Sequence, residues 1–319
     1  MVRSWFVGCV SFCWLLFSPL SLSQNSIDLE PVKKQGLFLY HLGRHQEAFP
    51  LLKPSAEKGD QESQYCLGDM LREKNFGYLT REAIQWFEHA ALQGHLYAMV
   101  ALTSEHTADC FIYRDCSFAK RWKAKALEAI EQKANDGNGE AMLLTYYVTN
   151  DLNWLSRSAE SGFSDAMYRL GREYGKGEGI FLTPNRRQLA ADEWIVKAAE
   201  GGHLIAINDV VEMKSFQNDL KGVRYWTERG LEGGGFNATA RYARWLSDAP
   251  TATADSNDLI KAYGLTVLLD EAAPTRWSGR TYRALEEIAA MMTPSQIKAG
   301  QLFAEEWVRK HPPLRKDSR

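Results

Sequence analysis

A glycine recurs along this chain at intervals of 25 to 43 residues, and a small residue follows it four positions later each time. The pairs are Gly59 and Ser63, Gly94 and Ala98, Gly137 and Ala141, Gly162 and Ala166, Gly202 and Ala206, and Gly234 and Ala238. Buried residues at four-residue spacing share one face of a helix, so each copy predicts a helix after the glycine. A unit repeated at this spacing folds by stacking on its neighbours.

Tryptophan marks the same frame on the other side of the glycine. The residue eight positions before the anchor glycine is Trp86, Trp154, Trp194 and Trp226 in four copies. We expect this tryptophan to fill the gap toward the next helix pair, and the glycine to end the second helix with a positive φ. The tryptophans at 122, 245 and 277 have no place in this frame.

The repeat predicts an all-α fold, a solenoid of stacked antiparallel helix pairs that curves into a superhelix. We divide the chain into a signal peptide (1–23), helical repeats (24–235), and a last repeat with a C-terminal helical cap (236–319). The segment from Gln35 to Gly59 is predicted to be the opening pair. Thr293, Pro294 and Gln296 have the pattern of a capping box that starts the closing helix.

One copy carries a family pattern: Ala166, Leu170-Gly171, Tyr174 and Gly177-x-Gly179-Ile180, followed by Ala191, Trp194, Lys197-Ala198-Ala199 and Gly202. This pattern resembles the Sel-one-like repeat (SLR) family of tetratricopeptide-like arrays. The resemblance implies a protein-binding scaffold. Signal-bearing bacterial members of this size are similar to periplasmic immunity proteins that block type VI secretion phospholipase effectors. A cell-envelope scaffold or adaptor is the alternative function.

The N-terminus has the order of a secretory signal peptide. Arg3 precedes an apolar run from Trp5 to Phe17, and the small-x-small pattern Ser21-Leu22-Ser23 follows. We expect cleavage after Ser23 and a periplasmic protein with no stable membrane insertion. An uncleaved membrane anchor is the other interpretation of the same segment.

Three cysteines follow the signal segment, and an oxidising compartment would let two of them pair. Cys110 and Cys116 are close enough in sequence to bridge one loop, while Cys66 lies in an apolar helical pattern and is predicted to be buried. A zinc site at the pair is the alternative, but no histidine stands at ligand spacing.

Composition and motifs exclude several function classes. The chain has 38 Lys and Arg against 40 Asp and Glu, so it has no basic excess for nucleic acid. The loop Gly175–Gly179 lacks the spacing of a phosphate-binding loop, and the pair His41 and His45 lacks the glutamate of a metalloprotease helix. No Gly-x-Ser-x-Gly elbow occurs. We therefore predict neither an enzyme nor a cofactor, metal or small-molecule substrate.

A superhelix of this kind binds its partners in the concave groove lined by the first helix of each pair. The groove residues predicted to contact a protein partner, such as a phospholipase toxin, are Asp165, Tyr168, Arg172 and Asp209.

Overall fold

The structure is a computed structural model that describes residues 28–248, 256–273 and 278–316. The predicted signal peptide and Trp277 lie outside the described residues. The helices are α1 (Glu30–His41), α2 (His45–Glu57), α3 (Gln61–Lys74), α4 (Arg81–Leu92), α5 (Leu96–Ala101), α6 (Ala108–Tyr113), α7 (Ser117–Asn135), α8 (Gly139–Thr149), α9 (Leu152–Glu160), α10 (Ser164–Lys176), α11 (Pro184–Glu200), α12 (Leu204–Phe216), α13 (Leu220–Glu232), α14 (Phe236–Ser247), α15 (Ser256–Ala272), α16 (Ser278–Ala289) and α17 (Pro294–Lys310).

Successive helices pack against each other as pairs, which confirms the predicted all-α solenoid. The pairs are α1–α2, α3–α4, α5–α7, α8–α9, α10–α11, α12–α13 and α14–α15, with the short α6 inserted in the third. Among the described residues no strand occurs, and only two isolated β-bridges form. The opening pair starts at Glu30, five residues before the predicted Gln35.

The glycine frame behaves as its spacing predicts. All six anchor glycines have positive φ, between 76° at Gly234 and 96° at Gly59, a conformation that other residues adopt only with strain. The six small residues four positions later are all buried. Each of these small residues lies on the helix that follows its glycine, on the face that packs against neighbouring helices. A larger side chain at this position would push the helix pairs apart.

The tryptophans pack toward the preceding helices, so our expectation that they fill the gap toward the next helix pair was wrong. Trp86 packs against the core of α1 to α3, Trp194 against the core of α8 to α10, and Trp226 joins the core of α11 and α12. Trp154 likewise contacts the core that α7 and α8 form. The ring therefore fills the gap toward the preceding helices, because it lies on the second helix of its pair and points back across the first.

A cation three residues further along the helix covers the exposed side of several of these rings. Arg157 lies 4.3 Å from the Trp154 ring centre, and Lys197 lies 4.5 Å from that of Trp194. Lys125 covers Trp122 at 4.7 Å in the same way, which gives this unassigned tryptophan the same role on the long helix α7. These contacts shield apolar surface that stacking leaves half open.

The two ends of the array meet, a contact that was not part of the predicted superhelix with a C-terminal cap. The backbone amide of Lys316 donates to the His41 carbonyl at 3.1 Å, and Arg315 forms a β-bridge with Gly235. Leu42 shares one core with Leu314 and with residues of α13 to α17. The closing helix α17 starts with the predicted capping box at Thr293, and its trailing segment joins the first pair to the last.

Candidate functional site: a concave cavity lined by the first helices

A cavity of about 1270 Å³ lies on the concave side of the array. Most of its wall comes from α1, α3, α5, α8 and α10, the first helices of five consecutive pairs. The rest comes from His45 on α2, Lys123 on α7, the loop after α5 and the C-terminal segment. Its charged and aromatic lining residues are Tyr40, His41, His45, Tyr65, Asp69, Arg72, Glu73, Tyr97, Glu105, His106, Lys123, Tyr147, Asp165, Arg169, Arg315 and Lys316. The first helices thus form the groove, as the repeat predicted.

Tyrosine hydroxyl groups anchor the polar network of the cavity wall. Tyr40 donates to Asp69 at 2.7 Å, and Asp69 also pairs with Arg72 one turn later. Tyr97 donates to Glu140 at 2.8 Å. Burial, and next to it the neighbouring carboxylate, raises the pKa of both tyrosines far above its usual range. Both phenols therefore stay neutral and act as hydrogen-bond donors, which leaves them unsuited to proton transfer.

Arg169 occupies the α10 side of the wall. Its guanidinium lies 5.7 Å from the Tyr147 ring centre and 6.0 Å from that of Tyr146, and its Nε is 2.8 Å from a Glu173 oxygen. An arginine held against two aromatic rings and a carboxylate has little rotational freedom left. It presents a preorganised cationic surface to whatever enters the cavity.

A histidine after the anchor glycine begins α5 and α12. His95 accepts a hydrogen bond on Nδ1 from the Ala98 amide and stacks on Tyr65 with ring centres 4.4 Å apart. His203 accepts in the same way from Ala206 and stacks on Tyr168, also at 4.4 Å. The same stacked pair of a histidine and a tyrosine therefore occurs in two copies of the repeat. Sequence reasoning missed it, although a histidine follows the glycine and a tyrosine lies six residues after the previous anchor in both copies.

The structure brings the four predicted contact residues close together, but it places only Asp165 in the cavity wall. Asp165 lies 3.6 Å from Nε2 of His203, whose other face carries the Tyr168 ring. Asp209 interacts with Tyr168 and Arg172: burial raises the pKa of its carboxyl group, while the Arg172 charge and a Tyr168 hydrogen bond act in the opposite direction. Tyr168, Arg172 and Asp209 thus form a structural cluster between α10 and α12, outside the cavity lining.

Residues of the C-terminal segment were missed altogether. Arg315 and Lys316 line the cavity, because the segment after α17 crosses to the α1–α2 turn. Lys123 and His106 were missed as well, since they come from the third pair, whose loop has no counterpart in the other copies. No local pattern could have found them.

The insertion between α5 and α7 forms one rim of the cavity. Cys110 and Cys116 form a disulfide across it, with Cα atoms 4.4 Å apart. Glu105 lies within 4.8 Å of both sulfur atoms, but the disulfide occupies the two thiols that a metal ion would need. Cys66 is a buried free thiol whose pKa is raised by burial.

The cavity wall thus carries neutral phenols, paired carboxylates and ordered arginines, which suit binding by hydrogen bonds and aromatic contacts. In the described part of the chain, no helix is both long and apolar enough to cross a bilayer.

Comparison with known proteins identifies the repeats. A model of the Sel1 repeat matches residues 63–95 and 164–203, and both matches end on the stacked histidine of their copy. The structure of c5321, a protective antigen of uropathogenic Escherichia coli with an SLR fold, is 17% identical over 89% of this chain and 84% of that one, with a TM-score of 0.33. A Sel1 repeat protein from Oxalobacter formigenes is 19% identical over 76% of this chain and all of that one, with a TM-score of 0.37.

Proposed function

We propose that the concave cavity receives a segment of a protein partner, because two copies of the repeat match the Sel1 repeat and such repeats generally mediate contacts between proteins. The observation that carries the proposal is the cavity wall itself. Tyrosines and arginines from five consecutive first helices face one space, and these two residue types are enriched among the residues that contribute most to binding at protein interfaces.

The network behind the wall favours tight binding. Tyr40, Asp69 and Arg72 fix one another, and so do Tyr147 and Arg169 across the cavity. Side chains that are ordered before binding lose little conformational entropy when the partner arrives. A partner segment that inserts into the cavity is covered on several sides, so the complex would block that segment sterically.

We propose further that the protein is exported to the periplasm and is an immunity protein for a type VI secretion phospholipase effector. Two observations support export: the signal-like order of residues 1–23 and the Cys110–Cys116 disulfide, a bond that persists in oxidising compartments. The effector as partner rests on the SLR resemblance. Neutralisation would be stoichiometric, with the inserted segment of the lipase held away from its substrate and without any chemical step.

The test is protection of cells from a type VI secretion phospholipase effector delivered to the periplasm. We expect a strain that lacks the gene to die when the lipase reaches its periplasm, and to survive when the gene is restored. The double variant Lys123→Glu with Asp165→Lys reverses two exposed charges of the cavity wall and should weaken lipase binding at least about tenfold.

A matched control makes the same charge exchange elsewhere. Lys298→Glu with Glu305→Lys reverses two exposed charges on α17, outside the cavity lining, and should leave protection unchanged. Equal protection by both double variants would contradict binding in the cavity. If cells are protected by neither the variants nor the wild-type chain, while the chain co-purifies with envelope-assembly proteins, the scaffold function replaces immunity.

A further inference from the structure

Large apolar side chains are exposed to solvent at the turns that join the first helix of a pair to the second. Phe76 is 99% exposed in the α3–α4 turn, Leu182 is 87% exposed in the α10–α11 turn, and Phe216 is 89% exposed at the end of α12. Ile180 is fully exposed and lies two residues before Leu182, and Ile112 is exposed on α6 within the third pair. Four pairs therefore expose apolar groups at the same point of their topology.

These turns lie along one edge of the array, because antiparallel pairs stack with their helices in register. Direct contacts show this for the first two tips. Leu79 and Thr107 form a parallel β-bridge between the turn of the second pair and the loop of the third, and the rings of Tyr78 and Phe111 lie 6.1 Å apart. We call this edge, formed by 72–82, 109–121, 176–187 and 214–221, the turn edge.

The opposite edge differs in character. It consists of the turns at the anchor glycines, whose residues are mostly glycine and polar groups. The apolar exceptions are Phe163, which is half-buried, and Leu92, an exposed neighbour of the turn at Gly94. Exposed apolar side chains concentrated along one edge of a repeat array indicate a surface that meets something other than water.

The charge of the turn edge indicates what that surface meets. Its four segments carry 11 Lys and Arg against 6 Asp and Glu, whereas the whole chain has 38 against 40. Each apolar tip has basic neighbours: Lys74 and Arg81 flank Phe76, and Arg186 and Arg187 follow Leu182. Some cations are paired, as Lys214 is with Asp219 at 3.4 Å, but the excess remains positive.

We propose that the turn edge docks the protein on a lipid bilayer that contains anionic headgroups. Separate apolar side chains at turn tips suit insertion between acyl chains, and the surrounding lysines and arginines suit phosphate groups. A protein interface would instead have one contiguous apolar centre depleted in charge. The cavity wall reaches this edge at Arg72 and Glu73, so docking holds the cavity close to the membrane surface.

The experiment is flotation of the chain from Gln24 onward with vesicles of phosphatidylglycerol and phosphatidylethanolamine, or of phosphatidylcholine alone. The apolar segment before Gln24 is left out because it would bind any vesicle, and every described contact lies after it. We expect about tenfold more binding to the anionic vesicles, and a loss of that binding when the salt concentration is raised.

Variants separate the turn edge from general stickiness. Phe76→Ser, Ile180→Ser, Leu182→Ser and Phe216→Ser combined should abolish vesicle binding and leave the circular dichroism spectrum unchanged, since all four side chains are exposed. Leu302→Ser with Val308→Ser, exposed apolar residues of α17, should bind like the wild type.

Two results would overturn the proposal: equal binding of the wild type and the fourfold variant, or no binding of the wild type to anionic vesicles. If the wild type does not bind vesicles, and the fourfold variant loses a protein partner that the wild type binds, the turn edge is a protein interface. Protection from the lipase is tested with the cavity variants, and vesicle binding is tested with the turn-edge variants. The two proposals can therefore fail separately.

Discussion

The backbone amide of Lys316 donates a 3.1 Å hydrogen bond to the carbonyl of His41, and this bond joins the last described residue to the end of the first helix. The same segment inserts Leu314 into the core that α13 to α17 share with Leu42. The first pair, which would otherwise expose an unstacked face, is thereby covered.

The joining segment should contribute measurably to stability. Leu314→Ala removes a buried side chain, so we expect the free energy of unfolding in urea to fall by about 2–3 kcal/mol. Leu302→Ala, an exposed leucine on α17, is the control and should change it by less than about 0.5 kcal/mol. Equal effects of the two substitutions would show that the ends of the array do not pack together.

Two glycines of α10 should respond in opposite directions to alanine. A Cβ at Gly171 would lie 2.8 Å from the Ala191 carbonyl oxygen, whereas a Cβ at Gly175 meets no atom within 4 Å. Gly171→Ala should therefore destabilise the protein by about 1–3 kcal/mol, because α10 and α11 must separate. Gly175→Ala should stabilise it by about 0.5–1 kcal/mol through helix propensity. Thermal unfolding of both variants measures the difference, and destabilisation by both would contradict the close approach of α10 and α11.

Stability should fall in mild acid because of His95. Burial lowers the pKa of this imidazole, although Glu62 and Glu140 act in the opposite direction. The unfolded chain then binds a proton more readily than the folded chain, so stability is full above about pH 6.5 and declines as the pH falls toward the folded pKa. Protonation also places a hydrogen on Nδ1, which must accept from the Ala98 amide.

His95→Asn tests this assignment, since Asn138 caps the equivalent helix start in the next copy. The variant should show a shallower decline of the melting temperature between pH 7.5 and pH 5 than the wild type. His89→Asn, on the exposed side of α4, should keep the wild-type slope. If His95→Asn retains the full pH dependence, another group is responsible.

Thiol chemistry should distinguish the three cysteines. The folded chain from Gln24 onward should resist iodoacetamide, because Cys110 and Cys116 are bonded and the buried Cys66 thiol has a raised pKa. Unfolding without reductant should expose one reactive thiol, at Cys66. Reduction of the folded protein should instead speed tryptic cleavage after Arg114, inside the loop that the disulfide closes. Three reactive thiols in the unreduced, unfolded chain would mean that the disulfide is absent.

The parts of the fold that sequence predicted are those fixed by short-range rules. The positive φ of Gly162, the burial of Ala166 and the capping box at Thr293 each depend on a few adjacent residues. The predicted packing direction of the tryptophans was wrong, because the same face of a helix can pack against the preceding or the following helix pair. The basic residue three positions after Trp154 and Trp194 indicates, in the sequence itself, that one side of the ring is exposed.

Closure of the array could not be predicted, since it depends on the sum of small rotations between all pairs. The placement of Arg315 and Lys316 in the cavity follows from closure and was missed for the same reason. Of the four predicted contact residues only Asp165 lines the cavity. Asp209 lies on α12, beyond the wall, and Tyr168 and Arg172 lie on the side of α10 that interacts with α12.

The central claim, that a protein partner occupies the cavity, is tested most directly by site-specific photo-crosslinking. The photoreactive residue p-benzoylphenylalanine replaces Tyr147 in the cavity wall or, as the matched control, the exposed Tyr282 on α16. Each variant is co-expressed with a type VI secretion phospholipase effector from which the wild-type chain protects cells, and is irradiated. We predict a covalent adduct with the lipase from position 147 and none from position 282. A stable complex that crosslinks from position 282 and not from position 147 would contradict the account.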